Sequence, residues 1–285
     1  MPPIITLTTD FGTRDSYVAE MKGVILSLVA DARLVDITHD VEPQQVAEAA
    51  LTLEAAAAAF PGGTIHLAVV DPGVGTDRRP IVVAAGGQLF VGPDNGLFTS
   101  VYVHVEWRAF ELAAREYRRA LVSRTFHGRD IFAPAAAHLA LGVAPERFGP
   151  AVGDPVRLSW PEAREGAGGV GGTVIHVDRF GNLVTSIEAE HVATVLADGQ
   201  GAVRIAGRVL PLVGTYAELP ADRPGALIGS RSRLEVAVRD GSAAERLGAG
   251  RGTAVVLRRT TPTSTTPTSK TPTSKTSRSR HSRTT

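Results

Sequence analysis

The chain has 285 residues, enough for two domains of roughly 100 to 200 residues each and for a sizeable core. It contains no cysteine, which excludes disulfides, thiolate metal sites and a cysteine nucleophile. Its 30 basic and 29 acidic residues nearly balance, but residues 260–285 hold five of the basic residues and no acid. The rest is mildly acidic, has no signal pattern and has no apolar run long enough to span a bilayer. We therefore expect a cytoplasmic protein without nucleic-acid or membrane partners.

Strand and helix patterns alternate through the first half of the chain. Short apolar or β-branched runs predict strands, and apolar residues at helical spacing predict helices. The predicted order is strand 4–8, helix 17–29, strand 34–38, helix 43–59, strands 65–70, 81–85 and 88–91, and helix 131–141. This alternation predicts an α/β domain over residues 1–155, with a parallel sheet covered by helices on both faces.

The pattern changes near residue 150. Many turn-forming residues predict a linker over 156–170, and a β-domain, either a sandwich or a barrel, follows over 171–259. Its predicted strands are 173–177, 183–187, 203–205, 208–212, 234–238 and 254–257. Residues 260–285 contain no apolar residue except proline, which predicts a disordered basic tail.

Polar loops follow several predicted strands of the first domain. Asp10, Asp40 and Asp71 come at strand ends, where ligands bind in open α/β sheets. The loop after Asp71 holds two glycines and Arg78, and a later loop carries His127. Two chemistries fit such loops: a metal-dependent hydrolase, or a nucleoside site without metal. No HExxH, Walker, GxGxxG or GxSxG motif narrows the choice.

Several of these residues also have plain structural interpretations. Asp10 is a candidate cap for the helix that starts near Ser16. His39 and Asp40 are candidates for fixing a loop, and Phe126 is a candidate core residue. These alternatives stay open from the residues alone.

Seven motifs in one order carry a family resemblance over about residues 3–258: TDFG (9–12), MKG (21–23), VDITH (35–39), VDPGVG (70–75), PDNG (93–96), TFHGRD (125–130) and DRFGN (178–182). Together they resemble the S-adenosyl-L-methionine (SAM) hydroxide adenosyltransferases. These are the adenosine-forming SAM hydrolases, which are related to the fluorinase and chlorinase enzymes.

The resemblance implies a Rossmann-like α/β N-terminal domain, a small C-terminal β-barrel and a homotrimer. SAM would lie between the first domain of one subunit and the second domain of its neighbour, and no metal or organic cofactor would be needed. The residues that match the family's catalytic positions are Asp71, Arg78 and His127. Those that match its substrate-binding positions are Asp10, Asp15, Phe126, Asp178, Phe180, Asn182, Ser230 and Arg231.

Differences within the family indicate water as the nucleophile. The fluorinase pattern would place a tyrosine and a serine at His127 and Gly128, and a tyrosine at Asp71. We therefore expect hydrolysis of SAM to adenosine and L-methionine by in-line attack of an activated water on ribose C5′. Either His127 or Asp71 would take the proton. The alternatives are a SAM-binding sensor with little turnover and a halide adenosyltransferase.

One segment departs from the family pattern. Arg239-Asp240-Gly241 stands where the family usually has an asparagine with glycines, so the resemblance does not carry adenine contacts over to this edge.

Overall fold

The computed structural model describes residues 1–166, 168–197 and 199–260. The chain divides into two compact units between Trp160 and Pro161. Of the predicted basic tail, residues 261–285 lie outside the described residues. Within the described part of the chain, no helix is long and apolar enough to cross a membrane.

The first unit alternates strands and helices. In chain order these are β1 (Ile4–Thr9), α1 (Tyr17–Leu28), β2 (Arg33–Thr38), α2 (Val46–Ala57), β3 (Ile65–Val69), β4 (Pro80–Ala85), β5 (Gln88–Pro93), α3 (Val101–His104), β6 (Trp107–Glu111) and α4 (Ala133–Ala140). Short 3₁₀ segments lie at Arg115–Tyr117 and Pro145–Phe148. A π-helical turn, Gly128–Phe132, leads directly into α4.

The strands of this unit form one six-stranded sheet in the order β2-β1-β3-β5-β4-β6. Strands β2, β1, β3 and β5 pair in parallel, whereas β4 pairs antiparallel with both β5 and β6. The carboxyl ends of β1 and β3 therefore meet at one edge, and Asp10 and Asp71 follow them. The sheet is mixed, and its order does not establish the Rossmann-like arrangement, which stays a prediction.

Helices pack on both faces of this sheet. Side chains alternate between the two faces along each strand, and apolar residues stand on both. On one face, Ile5 and Leu7 of β1 pack with Met21 and Ile25 of α1 and with α4. On the other face, apolar residues of β3 and β4 pack with α2 and with the segment after β5. The two cores hold the strand ends, and so the loops that follow them, in fixed positions.

Helix α2 begins at Val46, three residues later than the pattern predicts. Residues 42–45 instead form a tight turn, in which the Gln45 amide donates to the Glu42 carbonyl at 3.0 Å. Pro43 occupies the second position of that turn, which its fixed φ suits as well as it suits a helix start.

The second unit is built mainly of antiparallel strands. Its elements are β7 (Arg164–Gly166), β8 (Gly169–Val177), β9 (Leu183–Glu188), α5 (Ala189–Leu196), β10 (Gln200–Ile205), β11 (Arg208–Pro211), β12 (Pro224–Ile228), β13 (Arg233–Val238), α6 (Ala243–Leu247) and β14 (Ala254–Thr260), with a 3₁₀ turn at Tyr216–Glu218. The segment predicted as a linker, residues 156–170, thus includes β7 and the start of β8.

These strands curl into a nearly closed barrel. The sheet runs β11-β10-β14-β8-β9-β13-β12, with β7 beside β8, and a bridge from Leu212 to Ala226 joins its two ends. Alternate residues of β8, β9 and β13, such as Val174, Leu183 and Val236, fill the interior. The β-domain is therefore barrel-like, and its loops frame the second group of candidate site residues.

Candidate functional site

Asp71, Arg78 and His127 form one contact group in the first unit. Arg78 Nε lies 2.9 and 3.1 Å from the two carboxylate oxygens of Asp71, and Arg78 Nη2 also donates to this carboxylate. Arg78 Nη2 lies 2.8 Å from His127 Nδ1. Arg78 therefore contacts both an acid on the loop after β3 and a histidine that lies 49 residues after Arg78 in the chain.

The Arg78 guanidinium is buried, and one of its nitrogens has no hydrogen-bond partner among the described residues. Its side chain is 9% exposed and that of Asp71 is 5% exposed. The guanidinium stands 5.2 Å from the centre of the Phe132 ring. Its Nη1 is buried and has no hydrogen-bond partner among the described residues. A buried guanidinium N–H without an acceptor is costly, so Nη1 is a donor available to a ligand oxygen.

The contact with Arg78 fixes the protonation state of His127. A guanidinium only donates, so Nδ1 of His127 must be the acceptor and the neutral ring carries its proton on Nε2. Burial lowers the pKa of His127 from its ordinary value, and the charge of Arg78 lowers it further. His127 is therefore a neutral ring that can donate from Nε2.

A close approach of backbone brings the two loops of this group together. Gly75 has φ +81°, and a Cβ added there would lie 2.7 Å from the carbonyl oxygen of Arg124. Only glycine fits both this conformation and this contact. On the other side, the Asn95 amide donates to the Val70 carbonyl at 2.9 Å and so fixes the end of the strand that leads to Asp71.

Asp130 holds the segment around His127. It is fully buried, and it accepts from the Ser123 amide at 2.8 Å and from Arg129 Nε at 2.8 Å. Arg119 Nη1 also donates to it, at 3.1 Å. Because His127 directly precedes the π-helical turn that contains Asp130, these bonds help to fix the backbone that carries the imidazole.

Asp10 lies at the end of β1 and does not cap α1, whose N-cap is Ser16 without a side-chain cap bond. Its Oδ2 instead accepts from the backbone amide of Gln44 at 2.9 Å. Asp15 is exposed, one residue before that N-cap. The capping interpretation of Asp10 is therefore wrong, and its carboxylate is held from the neighbouring loop.

Phe126 belongs to an aromatic cluster beside Asp10. Its ring lies 5.9 Å from that of Phe11 and 5.2 Å from that of Tyr17, both edge-on. The Arg129 guanidinium stands 5.0 Å from its centre. Phe126 is buried and Tyr17 is exposed, so the predicted core role of Phe126 holds while the cluster still presents an aromatic face.

In the second unit, all five predicted residues line one cavity of about 610 Å³. They are Asp178, Phe180, Asn182, Ser230 and Arg231. Phe180 is 76% exposed, so its ring is open to solvent at this cavity. Arg239 and Asp240, which differ from the family pattern, line the same cavity.

Asp178 organises the loop at this cavity. Its Oδ1 accepts from the amides of Phe180 and Asn182, at 2.9 and 2.8 Å. Its Oδ2 accepts from Asn182 Nδ2 at 2.9 Å, which leaves Asn182 Oδ1 as that side chain's available acceptor. Much of the role of Asp178 is thus to shape the loop.

Two further cavity residues, Tyr216 and Glu235, were not predicted. The Tyr216 hydroxyl donates to Glu235 Oε1 at 2.5 Å. Burial raises the pKa of the Glu235 carboxyl. Glu235 alternates with the inward residues Leu234 and Val236 along β13, so sequence periodicity predicts a solvated side chain there. Nothing in the sequence shows that this face is covered.

No group of three or more His, Cys, Asp or Glu side chains suited to a metal ion occurs within residues 1–166, 168–197 and 199–260.

Both halves of the chain match models of one protein family. Residues 5–149 match the SAM hydroxide adenosyltransferase N-terminal domain, and residues 172–256 match the SAM hydroxide adenosyltransferase C-terminal domain.

Individual relatives agree with these matches. A protein from Thermus thermophilus named (R)-S-adenosyl-L-methionine hydrolase is 42% identical over 265 residues, covering 90% of this chain and 100% of its own. One of the same name from Salinispora tropica is 41% identical over 254 residues, covering 86% and 94%. A fluorinase from Actinopolyspora mzabensis is more distant, at 31% over 218 residues, covering 67% and 73%.

A solved structure is also similar. The crystal structure of an uncharacterized conserved protein from Thermotoga maritima has a TM-score of 0.84 and 34% identity, and the match covers 90% of this chain and 100% of that one.

Proposed function

The chain belongs to the SAM hydroxide adenosyltransferase family, and from this premise we propose that it hydrolyses SAM to adenosine and L-methionine. Water attacks C5′ of the ribose, the new C–O bond forms as the C5′–S bond breaks, and sulfur keeps the electron pair as a neutral thioether. One proton leaves the water. Since the sulfonium is a good leaving group, the protein has only to place the water and take this proton.

The position of the attacking water is proposed from Arg78, whose buried Nη1 has no hydrogen-bond partner among the described residues. We propose that it donates to the oxygen of the attacking water, where its positive charge also favours loss of the proton. As the proton leaves, the Nε2–H of His127 donates to the same oxygen, whose three lone pairs then face Arg78, His127 and C5′. Asp71 takes the proton at Oδ1, which accepts only from Arg78 Nε and keeps a lone pair, whereas Oδ2 accepts from both Nε and Nη2. No metal and no organic cofactor takes part.

The rest of the substrate is assigned from the family match. Asp10 binds the ribose hydroxyls, Asp15 lies near the methionine ammonium group and Phe126 packs at the nucleoside. We also propose that the first unit is Rossmann-like. The adenosine part of SAM would then lie at the carboxyl ends of β1 and β3.

In the second unit, Arg231 and Ser230 bind the methionine carboxylate, for which a guanidinium is a geometrically matched partner. Asp178 and Asn182 hold polar groups of the ligand, and Phe180 covers its apolar surface. The buried Glu235 and the residues Arg239 and Asp240 border the same cavity.

We propose the R epimer at the sulfonium as the substrate, because the hydrolase relatives carry that configuration in their names. The test is incubation of the purified protein with a mixture of the S and R epimers in phosphate buffer and in chloride buffer. The R epimer should disappear while adenosine and methionine appear in equal amounts in both buffers. Binding without products would make the protein a sensor, and 5′-chloro-5′-deoxyadenosine would make it a halide adenosyltransferase.

We also propose a cytoplasmic homotrimer that needs no nucleic acid or membrane, in which each SAM is held by Asp71 of one subunit and Arg231 of another. Asp71→Ala and Arg231→Ala variants should each be nearly inactive. Mixed trimers, refolded together and verified by mass, should regain activity well above the sum of the two. Mixed trimers that stay inactive would show that one chain supplies the whole site.

A further inference from the structure

A tight turn at residues 42–45 stands beside the carboxylate of Asp10. The Gln45 amide donates to the Glu42 carbonyl at 3.0 Å, Pro43 is the second residue, and Gln44, the third, has φ +66°. These are the marks of a type II turn, whose third position favours glycine because it requires a positive φ. A glutamine there adopts a backbone conformation that side chains disfavour.

The turn type decides where the Gln44 amide points. Types I and II differ mainly by a flip of the central peptide, here the one between Pro43 and Gln44. In the type II form, the Gln44 N–H donates to Asp10 Oδ2 at 2.9 Å. In the type I form, which would free Gln44 of its positive φ, that N–H would point away. The disfavoured conformation of Gln44 is therefore coupled to the bond with Asp10.

The segment that leads into the turn is tied to the Asp10 loop through His39. The Gly12 amide donates to the His39 carbonyl at 2.8 Å. His39 Nδ1 lies 2.8 Å from Thr9 Oγ1, and both residues are buried. At its other nitrogen, His39 Nε2 lies 3.1 Å from Asp36 Oδ1.

We infer that the type II turn at residues 42–45 is a positioning device, which aims the Gln44 amide at Asp10 and so presents that carboxylate to the two hydroxyls of a ribose. Gln44 is a positioning residue whose backbone acts, not its side chain. The inference rests on the proposed role of Asp10 in ribose binding.

The experiment compares the affinities of the full chain for adenosine and 2′,3′-dideoxyadenosine by calorimetry. The two probes differ only in the ribose hydroxyls, so the ratio of their Kd values isolates the contact with Asp10. Gln44→Val disfavours a positive φ, whereas Gln44→Gly permits it, and both variants lack the amide side chain. Asp10→Asn is the reference for a lost ribose contact.

The parent should prefer adenosine, and Asp10→Asn should abolish most of that preference. Gln44→Val should reduce the preference about tenfold, as expected for a lost hydrogen bond to a charged group, with little change for the dideoxy probe. Gln44→Gly should keep the full preference and an unchanged or higher Tm.

Two results would overturn the inference while leaving Asp10 in place: a full preference in folded Gln44→Val, or a reduced preference in Gln44→Gly. The second keeps the test valid even if the valine variant does not fold. An undiminished preference in Asp10→Asn would remove the ribose contact from the proposed function and the positioning device with it.

Discussion

Arg78 Nη2 lies 2.8 Å from His127 Nδ1, and only Arg78 can be the donor in this pair. The imidazole therefore cannot accept a proton at Nδ1 without losing Arg78, and its Nε2 already carries one. The sequence leaves the choice of base open between His127 and Asp71. The geometry favours Asp71 as the base and His127 as the group that orients the water.

Substitutions of Asp71 and His127 should lower kcat by different amounts. His127→Asn keeps an acceptor for Arg78 and should lower kcat about tenfold, whereas Asp71→Asn removes the base and should lower it by about 10²- to 10⁴-fold. Single-turnover kinetics at saturating SAM measure both losses. A larger loss in His127→Asn than in Asp71→Asn would reverse the assignment.

The pH dependence of kcat should follow His127. Its folded pKa lies below the ordinary 6.5, so the ring is neutral near pH 7. As the pH falls through that lower pKa, protonation places a cation against Arg78 and activity should drop. His127→Asn should lack this acidic limb, and a limb that persists unchanged in the variant would assign it to another group.

Gly75→Ala should separate the loops that carry Arg78 and His127. The added Cβ would meet the Arg124 carbonyl at 2.7 Å, and alanine disfavours φ +81°. We expect kcat to fall at least tenfold with a smaller change in KM, since an ångström of misplacement costs about 10²-fold. Gly87→Ala is the matched control, because Gly87 has φ +76° but open space around a Cβ. It should lose stability yet keep kcat, and equal kcat losses in the two variants would contradict the loop-contact argument.

Arg231 should select for a carboxylate on the substrate. The parent should cleave SAM far better than decarboxylated SAM, and Arg231→Lys should reduce that ratio because an ammonium lacks the paired N–H fork. Arg239→Ala removes a cation from the rim of the same cavity and should leave the ratio unchanged. If Arg239→Ala changes the ratio and Arg231→Lys does not, the carboxylate lies at the other arginine.

His66 should make the first unit sensitive to acid. Burial lowers its pKa to about 4, and Thr6 Oγ1 lies 2.8 Å from its Nδ1. Below pH 6.5, His66 is protonated in the unfolded chain but stays neutral in the folded chain. The free energy of unfolding therefore falls as the pH drops from 6.5 toward 4. The expected loss between pH 7 and pH 5 is about 2 kcal/mol.

Urea unfolding followed by tryptophan fluorescence measures this loss, because Trp107 and Trp160 both lie in the first unit. His66→Gln should be less stable at pH 7 but should lose less on going to pH 5. Equal losses in parent and variant would mean that His66 titrates normally.

Sequence patterns could predict those elements whose signal is local. The apolar run before Asp71 and the helical spacing of Val18, Met21 and Ile25 predict β3 and α1. Strand β12 escaped prediction because Pro224-Gly225 indicates a turn, although proline is tolerated at the first residue of a strand.

The contacts that complete the site depend on distant parts of the chain. The approach of Gly75 to Arg124, the burial of Glu235 and the turn type at Gln44 are set by tertiary packing, which spacing does not encode. Motif order indicated which residues matter, but only the three-dimensional arrangement shows that Arg78 donates to both Asp71 and His127.

Whether water is the nucleophile is tested by the reaction of (R)-SAM in ¹⁸O-labelled water, with mass spectrometry of both products. Attack of a water held by Arg78 on C5′ predicts one ¹⁸O in the 5′-hydroxyl of adenosine and none in methionine. Unlabelled adenosine would contradict this mechanism, because the oxygen would not have come from water.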